Sequence, residues 1–331
     1  MQPEPGETDP RPRSATPAGR SASVEPGVPG LLRPLAGRRA DRRRFEWRGY
    51  MLLSPGLLVT SFVFAVAMGI LLSYSFREFV DGQIQAGHST ATWRDFLTSS
   101  FAWSVVGTTL KLGAVTVVFA ALVGYPMALA LYRLRRRTLR YLAYFLIFSP
   151  LLTSVVVRSY GWALVLGDGG LINNLLQRWG FVDRPVRMLY EFSGVTAGLV
   201  HILLPFMIFP ILSSLQQLDP ILEESAADLG ATGWKTFRRV IFPLTVQGLI
   251  AGSQLVFALA ISAFATPALL GGGRVQVLAG QIYTDVGGLD WPKAAVGSYV
   301  LLVLALAAIA LFSVLLRAQT GTRRATWEYS R

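Results

Sequence analysis

Cysteine is absent from this 331-residue chain, and histidine occurs only at His88 and His201. The first absence excludes a disulfide framework and any thiolate metal site. The second leaves too few imidazoles for a histidine-rich metal centre, so no metal is expected. Lysine is nearly as scarce: Lys111, Lys235 and Lys293 are the whole set, and none follows a glycine. A phosphate-cradling Walker A loop needs Gly-Lys-Ser/Thr, so the chain has no nucleotide site of that kind. No nucleophile–base arrangement stands out either, and no catalytic residue is expected. The most telling absence is of acids. Six apolar blocks, at 51–76, 105–132, 141–166, 195–215, 249–270 and 294–316, contain not one Asp or Glu.

Each block is of membrane-spanning length, since about 20 helical residues at about 1.5 Å each cross the hydrocarbon layer. Buried helices of a soluble core rarely run so long and so apolar on every face. The pattern predicts an all-α integral membrane protein with six transmembrane helices. Carboxylate-free spans deprive a cation channel of its charged ring and an ion-coupled carrier of its midplane acids. Those two classes are the weaker alternatives.

Basic residues are unevenly placed. Residues 1–49 carry ten arginines, and the loop after the second block holds Arg133, Arg135, Arg136, Arg137 and Arg140. Lys235, Arg238 and Arg239 follow the fourth block, and Arg317, Arg323, Arg324 and Arg331 the sixth. The alternate loops hold only Arg77, Arg94, Arg178, Arg184, Arg187, Arg274 and Lys293, making 22 against 7, with Lys111 and Arg158 inside spans. The positive-inside rule then puts both termini and the 219–243 loop in the cytoplasm. The high pI is thereby a topology signal, and no nucleic-acid partner is expected. Residues 1–48, rich in Pro, Gly and Arg, are expected to form a disordered basic tail. The six-helix membrane core is expected at 49–317, and 318–331 as a short cytoplasmic tail. Ala65-Val66-Ala67 has the form of a signal-peptidase site, but the apolar run continues past it, which suits an uncleaved anchor.

Within the 219–243 loop, Asp219-Pro220 is a strong helix start. Glu223 and Glu224 follow in the positive end of that helix dipole, and Ser225, Ala226 and Ala227 leave a smooth face. Gly230 supplies a left-handed stop. Thr232 can cap a second helix whose Trp234, Phe237 and Ile241 form an apolar stripe opposite Lys235, Arg238 and Arg239. Pro243 is expected to end it. In the second outer loop, Leu171, Ile172, Leu175, Leu176 and Trp179 predict a one-faced interfacial helix. Gly194-x-x-x-Gly198 and Gly248-x-x-x-Gly252 predict close helix packing within this subunit. Pro126, Pro150, Pro205, Pro210 and Pro267 interrupt spans and are expected to kink them.

The run Glu224-Ser225-Ala226, then Gly230, then Val240 and Phe242-Pro243, resembles the cytoplasmic docking loop of binding-protein-dependent ABC importer permeases. Gly124-Tyr125-Pro126-Met127-Ala128, Arg158-Ser159-Tyr160-Gly161-Trp162, Gly170-Leu171-Ile172-Asn173, Thr266-Pro267-Ala268-Leu269-Leu270-Gly271-Gly272 and Asp290-Trp291-Pro292 are similar to segments of the spermidine/putrescine-type permeases. The resemblance implies a type I importer permease fold. It also implies separate ATP-binding cassette subunits that hold ATP and Mg, a second homologous permease, and an extracytoplasmic solute-binding protein. By the same resemblance, Glu223, Glu224, Ser225, Ala226, Gly230, Trp234, Phe237, Val240 and Pro243 form the ATPase-docking surface. Arg158, Tyr160, Trp162, Asp168, Phe264 and Pro267 are the candidate pathway or outer-face residues. Close polyamine permeases often carry an acid where Ala263 stands here. A polyamine-like solute is implied by family, and opines, amino-acid-like compounds and other small organic solutes stay open.

Overall fold

The computed structural model of the chain describes residues 37–328. The tail segments 1–36 and 329–331 lie outside the described residues. The chain divides into two compact units, Met1–Phe64 and Ala65–Arg331. Helix α1 spans Gly37–Ser75 and is followed by the hairpin β1 (Phe79–Val80) and β2 (Gln83–Ile84). Then come α2 (Ala91–Thr98), α3 (Ser100–Arg133), α4 (Arg137–Leu152), α5 (Val155–Leu166), α6 (Leu171–Arg178) and α7 (Phe192–Gln216). Helices α8 (Pro220–Asp228), α9 (Gly233–Thr236), α10 (Phe242–Ser262), α11 (Ala265–Gly271), α12 (Leu278–Gly287) and α13 (Trp291–Glu328) complete it.

Six stretches among the described residues are long and apolar enough to cross a membrane: 53–75, 100–133, 155–178, 192–216, 233–262 and 291–317. Their helical architecture matches the all-α expectation. Helix α1 begins at Gly37 and α13 runs to Glu328, both beyond the apolar blocks themselves. Residues 38–48 lack both Gly and Pro and are rich in Arg, a good helix former, so the helix starts ahead of the first span.

The core of the second unit is a bundle of α3, α7 and α10, with Met207, Ile208, Ile211, Leu215 and Val256 fully buried in it. Lipid tails are as apolar as these side chains, so close packing rather than water exclusion holds the helices together. Small residues permit it. A Cβ on Gly248 would collide with the Pro210 carbonyl and Ser214, and one on Gly252 would press on Met207. A Cβ on Gly198 would strike Leu270. Both spaced glycine pairs thus serve packing within this subunit, as expected.

The third and fifth apolar blocks are not single helices. The block 141–166 is shared by α4 and α5, which part at Thr153 and Ser154, both in extended conformations. Pro150 has already removed a donor from the last turn of α4, and Arg158 Nη2 donates to the freed Thr153 carbonyl at 2.9 Å. The block 249–270 parts at Ala263, which has ψ 127°. Pro267 explains this, because a helical proline clashes with the carbonyl four residues before it, which is that of Ala263. By contrast, Pro126, Pro205 and Pro210 lie inside unbroken helices. Pro243 does not end the second loop helix either: the chain stays helical from Gly233 to Ser262. A π turn at Phe237–Ile241 widens the helix just before the proline and relieves the same clash.

Candidate functional site

The loop between α7 and α10 is a capped helical hairpin. Asp219 Oδ1 accepts from the Ile221 N–H at 3.0 Å, and Pro220 occupies the first turn of α8. At the far end, the Ala231 N–H reaches the Ala226 carbonyl and the Gly230 N–H the Ala227 carbonyl, both at 2.9 Å. This double closure needs a left-handed residue, and Gly230 supplies it with φ 75°. Thr232 sits at the cap of α9, yet its side chain makes no capping bond.

The two faces of the hairpin differ. Ala226 is buried and Glu223 half-buried, while Leu222, Glu224, Ser225, Leu229 and Trp234 are exposed. Glu223 turns inward beside the Tyr132 hydroxyl at the end of α3, with its Oε1 buried and unpaired. The aromatic stripe sinks progressively. Trp234 stacks on Phe237 at 5.4 Å, Phe237 is half-buried and Ile241 fully so. Val240 is half-buried, whereas Lys235, Arg238 and Arg239 face out.

Tyr125 anchors this stripe to the bundle. Its ring meets Phe237 edge-on at 5.7 Å and Phe242 at 5.6 Å. Its hydroxyl lies 2.6 Å from Thr245 Oγ1, which in turn donates to the Ile241 carbonyl at 3.0 Å. Neither Tyr125 nor Tyr132 was singled out as a docking residue from sequence. The Gly124-Tyr125-Pro126 segment was the available signal, but its link to residues 237–245 is purely tertiary.

The pathway candidates do not converge. The Trp162 indole N–H donates to His201 Nδ1 at 3.1 Å, and both line a cavity of about 890 Å³ with Phe119, Thr196 and Glu191. His201 is therefore a satisfied packing residue. Phe264 instead stacks on Tyr283 at 4.8 Å beside a separate cavity of about 490 Å³. Pro267 is buried, Tyr160 and Asp168 are exposed, and Lys111 Nζ rests 5.1 Å over the Phe192 ring. Arg158 keeps Nε and Nη1 buried and unpaired. The helices carrying these residues do meet, since α5 packs on α11.

On the opposite end, Asn173 proves structural: it is buried, donates to the Gly167 and Val186 carbonyls at 3.0 and 3.1 Å, and accepts from the Val186 N–H. Elsewhere, Asp285 and Asp95 line a cavity of about 320 Å³ with Lys293, which pairs with Asp290 at 2.8 Å. Burial raises the Asp285 carboxyl above its ordinary value. A Gln281 hydrogen bond opposes that shift, and Asp290 reinforces it. Among the described residues no group of His, Asp and Glu is placed to hold a metal.

Six membrane-length stretches with an anchored polar hairpin between the fourth and fifth place the chain among multi-pass membrane proteins. The chain belongs to the family described as the binding-protein-dependent transport system inner membrane component, whose model matches residues 120–323. It is 33% identical over 261 residues to the spermidine/putrescine transport system permease protein PotB of Haemophilus influenzae, covering 78% of this chain and 87% of that one. It is 37% identical over 196 residues to the Escherichia coli PotB, covering 59% and 71%. Among solved structures it is similar to a chain of a bacterial alginate ABC transporter in complex with its pentasaccharide-bound periplasmic protein. There the TM-score is 0.69 at 19% identity, over 84% of this chain and 96% of that one. The protein is thus a multi-pass inner-membrane permease subunit of an ABC importer.

Proposed function

We propose that this permease carries a polyamine-type solute inward, driven by separate ATP-binding subunits that grip the 219–243 hairpin. The observation that carries the docking reading is the hairpin's division of labour. One face is tied to α3 and α10 through Tyr125 and Thr245, and the other presents Glu224, Ser225, Leu229 and Trp234 free. A push on the exposed face is passed to the bundle instead of being absorbed by a loose loop. ATP and Mg would be held by those partners, and both termini would lie in the cytoplasm.

A second homologous permease and an extracytoplasmic binding protein complete the proposed assembly. The helix breaks at 153–154 and 263–264 support the former. Non-helical backbone is not tolerated against lipid, only against protein or a hydrated cavity. The α4–α5 face around its break is exposed in this subunit alone, from Leu151 through Val157. Paired subunits would cover it and leave a solute path between them.

The solute class rests on the PotB relatives. A second reading, an amino-acid-like or opine solute, is favoured by Ala263 at the position where an acid is expected and by the unpaired Arg158 nitrogens. Uptake by the intact importer in proteoliposomes, with labelled spermidine or putrescine and amino acids as competitors, separates them. Saturable polyamine uptake that amino acids leave unchanged supports the first reading. Polyamine exclusion with uptake of a carboxylate-bearing solute establishes the second.

A further inference from the structure

The elbow joining α3 to α4 is the most strongly charged surface among the described residues that the proposed function does not use. Arg133 closes α3, Arg135 and Arg136 form the turn, and Arg137 opens α4; all four are exposed. The ion pairs among the described residues, Arg274–Glu191 and Lys293–Asp290, lie elsewhere. Arg140 is turned back on the elbow itself, with Nε donating to the Leu134 carbonyl at 3.1 Å. The turn is thereby fixed, and four guanidinium groups project from it with no ion pair among the described residues. Topology alone asks only for charge on this side of the membrane; it does not ask for a braced turn.

Directly beyond the cluster, α4 is greasy on its outer side. Leu139, Leu142, Phe145 and Leu146 are 46–71% exposed, and Arg137 rests 5.9 Å from the ring of Tyr141, itself 59% exposed. Their spacing of three and four residues makes a stripe along one side of the helix. A guanidinium cluster at the head of an apolar stripe matches one class of molecule in both parts. We propose that this elbow binds an anionic phospholipid of the inner leaflet. Its phosphate would be held by the forked guanidinium donors of Arg135, Arg136 and Arg137, and its acyl chain would lie along α4. A soluble acidic protein would satisfy the arginines but not the stripe, which continues to membrane depth. The site rests on the cytoplasmic placement of residues 133–140 proposed above. It adjoins Tyr132, the residue that meets Glu223 of the hairpin, so a bound lipid would steady α3 where the hairpin bears on it.

The test uses the purified intact importer in nanodiscs of phosphatidylcholine with or without phosphatidylglycerol, read by native mass spectrometry and by ATPase stimulation. The wild type should retain phosphatidylglycerol through delipidation. The Arg135→Gln/Arg136→Gln/Arg137→Gln variant should lose it, with affinity falling about fivefold per arginine neutralised. The matching triple Lys variant should fall between them. Equal retention of phosphatidylglycerol by wild type and Gln variant overturns the proposal. So does loss of the ATPase subunits from the Gln variant with lipid retention unchanged, which would assign the elbow to a protein contact. Because the chain has no cysteine, Thr138→Cys reports sidedness separately. Labelling from the outer face would overturn the cytoplasmic placement itself, whereas inner labelling with unchanged lipid retention defeats only the lipid site.

Discussion

Gly230 shows how much one residue can decide. Its φ of 75° lies where proline cannot go and where other L-residues lose roughly 1–2 kcal/mol. Nothing lies within 4 Å of a Cβ added there, so the constraint is backbone conformation alone. Gly230→Pro should leave the protein inserted while solute no longer stimulates ATP hydrolysis in proteoliposomes, and Glu224→Lys should do likewise by altering the exposed face. Normal uptake by both variants would remove the hairpin from the coupling route. Asp285 gives a pH prediction. Its folded carboxyl is harder to ionise than an unfolded one, chiefly through burial. Its contribution to stability is therefore full below the ordinary aspartate range and is lost as pH rises through the raised folded value. Asp285→Asn keeps an acceptor for Gln281 and removes the charge. The variant should melt above the wild type near pH 8 and level with it near pH 4, by thermal unfolding in detergent.

At the scale of elements, close helix approach and controlled breaks set the architecture. Gly248 lets α10 lie against the Pro210 carbonyl of α7. Gly248→Val should cost about 1–3 kcal/mol or more, since backbone cannot yield as a flexible side chain does. A lowered melting temperature with reduced membrane yield is the expected result. The link between hairpin and bundle is also an element property. Tyr132→Phe and Glu223→Gln should leave basal ATP hydrolysis by the assembled importer intact and weaken its stimulation by solute. A double variant no worse than either single one would identify the pair as a single contact. Pro267 was legible as an interruption. That it breaks the chain four residues earlier, at Ala263, follows from the proline–carbonyl clash and needs no homologue. Pro243 does not end its helix because a proline's effect depends on whether the preceding turn can widen, and the π turn at Phe237–Ile241 is invisible in a hydropathy pattern.

For the whole molecule, the assembly prediction is direct. An affinity-tagged chain should bring down an ATP-binding subunit and a second permease from detergent-solubilised membranes, and deletion of 219–243 should release only the ATPase. Loss of both partners together would make the hairpin a general folding element instead. The helix count and their order were legible because a membrane-spanning helix announces itself by length and by its lack of acids. The hairpin was legible because its capping residues, Asp219, Pro220 and Gly230, act locally.

By itself, the sequence determined that the chain crosses a membrane and where a capped helical hairpin separates its fourth and fifth spans. These depend on local composition, backbone conformation and charge, which neighbours in sequence suffice to specify. Only the tertiary structure decided that Tyr125 of the second span supports Phe237 more than a hundred residues later. It likewise decided that Glu223 turns inward to Tyr132, and that Trp162 and Phe264 line different cavities. Such pairings arise when helices of similar composition choose which faces to pack. In lipid that choice rests on the fit of small and large side chains, which hydropathy does not encode.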